Sequence, residues 1–265
     1  VGGPVSQFYC YRTNGILTAD DFEKKADGTP DENKPLVPVY KGQRIGNVKM
    51  VDQPTKMVDG KLVGDGVITE DDLVPYGNNI PDVIYGITNR FSYKNFELSV
   101  LIQGQIGGDV MFLGQRSLDY GSPGVNQFSH WVRCWKPDYQ AVYGDRGDPT
   151  PYYLGVDMSW DGTTPNIYNR NSTYENNSDL RIYDTTYLRI KNITLSYTLP
   201  NDLLKKSFLK KAKVYVSLDN VATFDNYPGV SPETNSYGNS TTRAGVDYST
   251  YPMSRKYTLG VNLVF

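Results

Sequence analysis

The chain has 265 residues, 21% charged and 38% hydrophobic, with a formal net charge of −2, and its pI near 5.5 leaves no global basic field to attract nucleic acid. No stretch approaches the run of about 18 apolar residues that a membrane helix needs. The mean hydropathy is −0.50, yet this does not exclude a β-barrel, whose water-facing half masks its strands.

Aromatic residues make up 13% of the chain, with 22 tyrosines among them, a bias that suits strands and aromatic belts better than helices. The opening "VGGPVSQFYCYRTNG" lacks the basic start and apolar run of a secretory leader, so a leader has been removed or the chain begins downstream of one. A weak strand is expected from Gln7 to Thr13. Cys10 and Cys134 lie far apart without CxxC spacing, which defines no metal site and leaves one bridge open in an oxidising compartment.

"GDGVITEDD", Gly64 to Asp72, has the look of a calcium loop. With Gly66 at the turn position of an EF-hand, Asp65 and Asp72 fall on ligand positions, but Lys61 and Val63 occupy two others. Asp59 and Asp52 are candidate displaced ligands. Calcium is therefore a candidate ion at Asp65, Asp72 and Asp59, beside the plainer reading of an acidic turn.

The clearest hairpin follows. Tyr85, Ile87, Phe91 and Tyr93 share one parity, and Phe96, Leu98, Val100, Ile102 and Ile106 share another, with only Lys94 and Asn95 between the arms. Each arm spans about 10 residues, the length of a tilted strand that crosses a bilayer. The long connection after it holds Trp131, Trp135 and Trp160; loops of this length are usually functional or disordered, and aromatic density speaks against disorder. Trp131, Trp135, Tyr152, Tyr153 and Trp160 are the candidate substrate-binding residues, able to stack on sugar rings or peptide side chains, although aromatics also pack loops and mark bilayer interfaces. His130 is the one histidine, so neither a Ser-His-Asp triad nor a multi-histidine zinc site has the residues it needs elsewhere.

In "YLRIKNITLSYTLP" Ile193, Leu195, Tyr197 and Leu199 share a face, whereas Leu188 and Ile190 have the opposite parity. A bulge near Lys191 or Asn192 is the expected reason. The turn "KKSFLKKAK" reads as a solvated basic segment or as an anion or lipid-headgroup contact. Val214, Val216 and Leu218 open the next strand, and "YTLGVNLVF" closes the chain with Tyr257, Leu259, Val261, Leu263 and Phe265 on one face.

Connections alternate short and long, as they do in a membrane barrel with short periplasmic turns and long extracellular loops. About six spanning strands are too few to close, since closed barrels start at roughly eight, and open edges do not survive in hydrocarbon. A portion of a larger barrel is expected. The alternative is a soluble extracellular β-sandwich that binds carbohydrate through aromatic loops, with the same apolar faces buried in a core.

Five blocks in order, "VGGPVSQFYCYRTNGIL", "GDGVITEDDLVPYGNNIPDVIYGITNRFSYKNFELSVLIQGQIGGDV", "TTYLRIKNITLSYTLP", "KVYVSLDNVATFDNYPGVSPE" and "YPMSRKYTLGVNLVF", resemble the C-terminal barrel region of SusC/RagA-like TonB-dependent transporters of the Bacteroidetes outer membrane. The resemblance implies an all-β fold: an antiparallel transmembrane β-barrel segment, about six strands of a roughly 22-stranded barrel with a plugged lumen and long extracellular loops. Residues 1–265 would be the C-terminal part of that barrel, with the plug domain and upstream strands absent from this chain. Glu97, Gln103 and Gln105 would then face the lumen, with Thr258, Gly260 and Asn262.

It further implies TonB-dependent import of a nutrient, a glycan or a peptide, and no enzymatic chemistry. The implied partners are a SusD-like surface lipoprotein, the TonB complex through the absent N-terminal region, the barrel-assembly machinery and outer-membrane lipid; a homodimer of the transporter complex stays open. The long loops would be extracellular and the C-terminus periplasmic. Phe265 would be part of the signal read by the barrel-assembly machinery, and so the natural C-terminus.

Overall fold

A computed structural model describes all residues except 1, 41, 120–125, 127, 136–151, 154–155, 158–159, 167–176, 206, 234, 238–239 and 241–242, and describes 116, 117, 152, 153, 156 and 157 by backbone alone. The chain divides into two compact units, one of Val1–Ser6, Asn78–Met111 and Tyr183–Phe265, the other of Gln7–Gly77 and Phe112–Ile182.

The first unit is organised by a five-stranded antiparallel sheet. Its strands are β1 (Val83–Tyr93), β2 (Phe96–Ile106), β3 (Tyr187–Thr198), β4 (Lys211–Asp225) and β5 (Lys256–Val264). Every strand neighbours the one before it in sequence. The β1–β2 hairpin turns at Lys94 and Asn95, with Lys94 in the left-handed region at φ 53.

Register assembles the separate alternations into two continuous faces. Tyr93, Phe96, Tyr197, Val214 and Val261 form one cross-sheet row, and Phe91, Leu98, Leu195, Val216 and Leu259 form the next. Between them on the opposite face run Ser92, Glu97, Ser196, Tyr215 and Gly260, then Arg90, Ser99, Thr194, Ser217 and Thr258. One face is therefore apolar and the other polar across all five strands, because paired residues share a side of the sheet.

The parity change in β3 has the expected cause. Leu101 pairs with Asn192 and Ile102 with Ile190, so Lys191 is one extra residue relative to β2. Across to β4, Asn192 meets Asp219 and Ile190 meets Ala222, which places Asn220 and Val221 opposite Lys191. One inserted residue flips the parity of β3, and two preserve that of β4, so Leu188 and Phe224 rejoin the apolar face. Asn220 accommodates the extra length with φ 52.

The apolar face stays open. Phe91 is 61% and Leu259 75% exposed, so no second sheet covers it among the described residues, as the sandwich alternative requires.

The strand expected near the start forms at Gln7–Cys10, but it pairs with Val74–Asn78 in a separate two-stranded sheet and does not join β1–β5. It belongs to the second unit, whose elements are short. Thr13–Ile16 pairs with Val48–Met50, and Tyr11, Met50 and Ile68 make a small core with Tyr40 and Leu73 packed against it.

Candidate functional site

The polar face of the sheet carries the expected lumen residues. Glu97 accepts a charge-assisted bond from Lys213 Nζ at 3.1 Å. Gln105 donates through Nε2 to Thr185 Oγ1 at 2.8 Å. Gln103 hydrogen-bonds the Tyr187 side chain.

A network that the sequence reading did not single out lies at the end of this face away from the short turns. Arg189, with a side chain only 2% exposed, pairs through Nη1 with Glu233 Oε2 and donates from Nε to Thr223 Oγ1 at 2.8 Å. The Tyr187 hydroxyl donates to Glu233 Oε1, and the Arg189 guanidinium lies 5.0 Å from the Tyr187 ring centroid. Arg189 thus ties the long β4–β5 connection, which contains Glu233 and Ser231, onto the sheet. A cavity of about 270 Å³ bordered by Arg189, Asn220, Thr223, Ser231 and Arg255 opens beside it. The missed signal was an arginine alternating inward on a strand; its carboxylate partner, 44 positions along the chain, follows no local spacing.

In the second unit, all three tryptophans are held by backbone or side-chain contacts. Trp131 Nε1 donates to Asp119 Oδ1, and Asp119 forms a buried ion pair with Arg181. His130 stacks on Phe128 with centroids 5.6 Å apart. The Trp135 ring rests on Gly46, where any Cβ would lie 2.3 Å from it and where φ is +89, so only glycine admits the indole there. Trp135 N and Trp160 Nε1 both donate to the Thr164 carbonyl at 2.9 Å. With the Trp131 and Trp160 N–H groups engaged, the ring faces are what remain for stacking. Tyr152 and Tyr153 pair with Asp157 and Val156 in a short hairpin; their side chains lie outside the described residues.

Beside these rings Asp161 organises its own turn. Burial raises its carboxyl, but bonds donated by the Thr164 hydroxyl and by the Thr164 and Thr163 N–H groups outweigh that and pull it down to about 2.

Three of the carboxylates considered for calcium, Asp72, Asp65 and Asp52, accept backbone amides. Asp72 Oδ1 accepts from Gln53 N and Oδ2 from Thr69 N, both at 2.7 Å. Asp65 Oδ1 accepts from Val67 N at 3.0 Å, and Asp52 accepts from Asp65 N and Gly66 N. Asp59 sits in the turn between Lys56–Val58 and Lys61–Val63 at φ 48. Among the described residues no three His, Cys, Asp or Glu side chains gather to hold an ion. Cys10 and Cys134 are both buried and no disulfide joins them; burial, then the charge of Asp179, pushes the Cys10 thiol up to about 11 against the opposing effect of Arg12.

Long antiparallel strands in sequence order, an exposed apolar face and a hydrogen-bonded polar face define a wall segment of an outer-membrane β-barrel. No family model matches the chain. It is 28% identical to TonB-dependent receptor P3 of Formosa agariphila over 269 residues, 100% of this chain and 22% of that relative. It is 24% identical to TonB-dependent receptor SusC of Bacteroides thetaiotaomicron over 222 residues, 82% of this chain and 19% of SusC. Its fold superposes on a solved structure of the RagAB peptide importer in the open-open state with TM-score 0.62 at 18% identity, covering 100% of this chain and 23% of that one. Over its length the chain is similar to a segment of TonB-dependent receptors of the SusC/RagA type, and it spans about a fifth of the length of the curated relatives it matches.

Proposed function

We propose that this chain is the C-terminal barrel portion of an outer-membrane importer that takes up a nutrient with energy delivered by TonB. The observation that carries this reading is the exposed apolar face that runs across all five strands of the sheet, with Asn89 on β1 its one polar residue among the paired rows from Asn89 to Tyr93, backed by a polar face suited to a water-filled lumen. The names of the relatives support receptor or importer activity and no bond chemistry. The substrate class is an oligosaccharide or an oligopeptide, contacted by the aromatic loops around Trp131, Trp135 and Trp160 and by the polar wall at Glu97, Gln103 and Gln105. A SusD-like lipoprotein seated on the long loops is the expected partner, with those loops extracellular and Phe265 at the periplasmic side as an assembly signal.

The test is uptake by cells that depend on this receptor. Labelled oligosaccharide and oligopeptide pools should enter the parent strain, and entry should stop when TonB is deleted. Uptake that persists without TonB, or an unchanged profile when the receptor is deleted, overturns the reading.

A further inference from the structure

At the end with the short turns, the apolar face finishes in rings. Tyr93, Phe96 and Tyr197 share a row, with the Phe96 and Tyr197 centroids 4.7 Å apart. Phe208, from the lysine-rich turn, stacks on Phe265 at 5.6 Å with planes 8° apart. Both rings remain open, Phe208 at 80% exposure and Phe265 at 65%, and Leu203 nearby is 69% exposed. An apolar cluster this open needs an occupant other than water.

The same rim is basic. Lys205 pairs with Asp202, and Lys213 with Glu97; Lys94, Lys210 and Lys211 form no ion pair among the described residues. Lys210 continues the outward parity of Ala212 and Val214, so it ends a lipid-type column with a long, snorkelling cation. Lys94 Nζ lies 5.4 Å from the Tyr93 ring centroid. At the opposite end Asp82, Asp109 and Asp184 gather, and burial first, then the charges of Asp184 and Asp82, push the Asp109 carboxyl up, while Arg189 and Arg255 border the cavity there.

We infer that the short-turn rim, built from Lys94 and Lys210 around the Phe208–Phe265 stack, is a binding surface for the headgroups of anionic phospholipid. Rings at the interface take the glycerol and upper acyl region, and the ammonium groups meet the phosphates. An aromatic belt alone would suit any lipid. Lysine ammonium groups set beside that belt favour an anionic headgroup. This inference rests on the membrane reading above, and it deepens that reading by naming the lipid.

The experiment uses the protein extracted from its native membrane in detergent, with phosphatidylglycerol and phosphatidylethanolamine of matched acyl chains added in equal amounts. Native mass spectrometry counts the lipids retained. Phosphatidylglycerol should be favoured, and the double variant Lys94→Ala, Lys210→Ala should lose it by about fivefold per lysine. The Lys94→Arg, Lys210→Arg variant should keep it, and inorganic phosphate should not displace it. Equal retention of the two lipids, no loss in the alanine variant, or displacement by free phosphate overturns the inference. Retention requires neither TonB nor a nutrient, so failure here leaves import untouched and failed import leaves this result standing.

Discussion

The sheet and the tryptophan-bearing unit solve the same problem, where to put large apolar side chains, in opposite ways. On the sheet, Phe91, Leu98, Leu195, Val216 and Leu259 are placed by strand parity and register, and all but the half-buried Leu98 stay exposed, as a face built for lipid would. In the other unit Trp131, Trp135 and Trp160 are each fixed by an individual contact, with Asp119, Gly46 and Thr164. A periodic surface tolerates changes that keep its pattern, whereas a set of single contacts fails one residue at a time.

Neighbouring residues on β2 give the largest expected difference. Leu98→Arg puts a cation on the apolar face and should destabilise membrane-inserted protein by about 2–4 kcal/mol. Ser99→Arg, one residue on and facing the polar side, should cost less than about 1 kcal/mol. Refolding into lipid vesicles against urea measures both, and equal penalties would break the two-faced description.

Glu233→Ala strips the buried Arg189 of its carboxylate and should cost about 3 kcal/mol. Thermal unfolding in detergent should show this loss, with partial recovery when Arg189→Met is added, because the uncompensated charge is then gone. Phe265→Glu should reduce the amount of receptor in the outer membrane, read by surface labelling, while the substrates taken up stay the same.

Smaller effects belong to the loop unit. The folded Asp161 carboxyl sits at about 2 against an ordinary value of 3.8, so its stabilisation is present above about pH 4 and is lost as pH falls from there toward 2. Asp161→Asn should flatten that segment of an acid-unfolding curve. The smallest effect expected is from a calcium chelator: with Asp65 and Asp72 accepting backbone amides, Tm should not move.

Much of the sheet was legible before any coordinates. The hairpin at Lys94 and Asn95, the bulge beside Lys191 and the shared face of Leu259, Val261 and Leu263 all follow from period-two alternation and its one interruption. Gln7–Cys10 was legible as a strand but not as a partner of Val74–Asn78, since a short segment carries no register of its own. The calcium spacing was visible too, whereas the backbone amides that Asp65 and Asp72 accept were not.

What the amino-acid sequence by itself determined is the strand alternation, the short-long order of the connections and the basic, aromatic character of one turn, because side-chain direction in a strand depends only on position along the chain. Only the tertiary structure decided that the alternations merge into one apolar face, that Arg189 meets Glu233 and that Phe208 stacks on Phe265. These pairings join residues far apart in sequence, and they depend on register and loop closure, which no local pattern encodes.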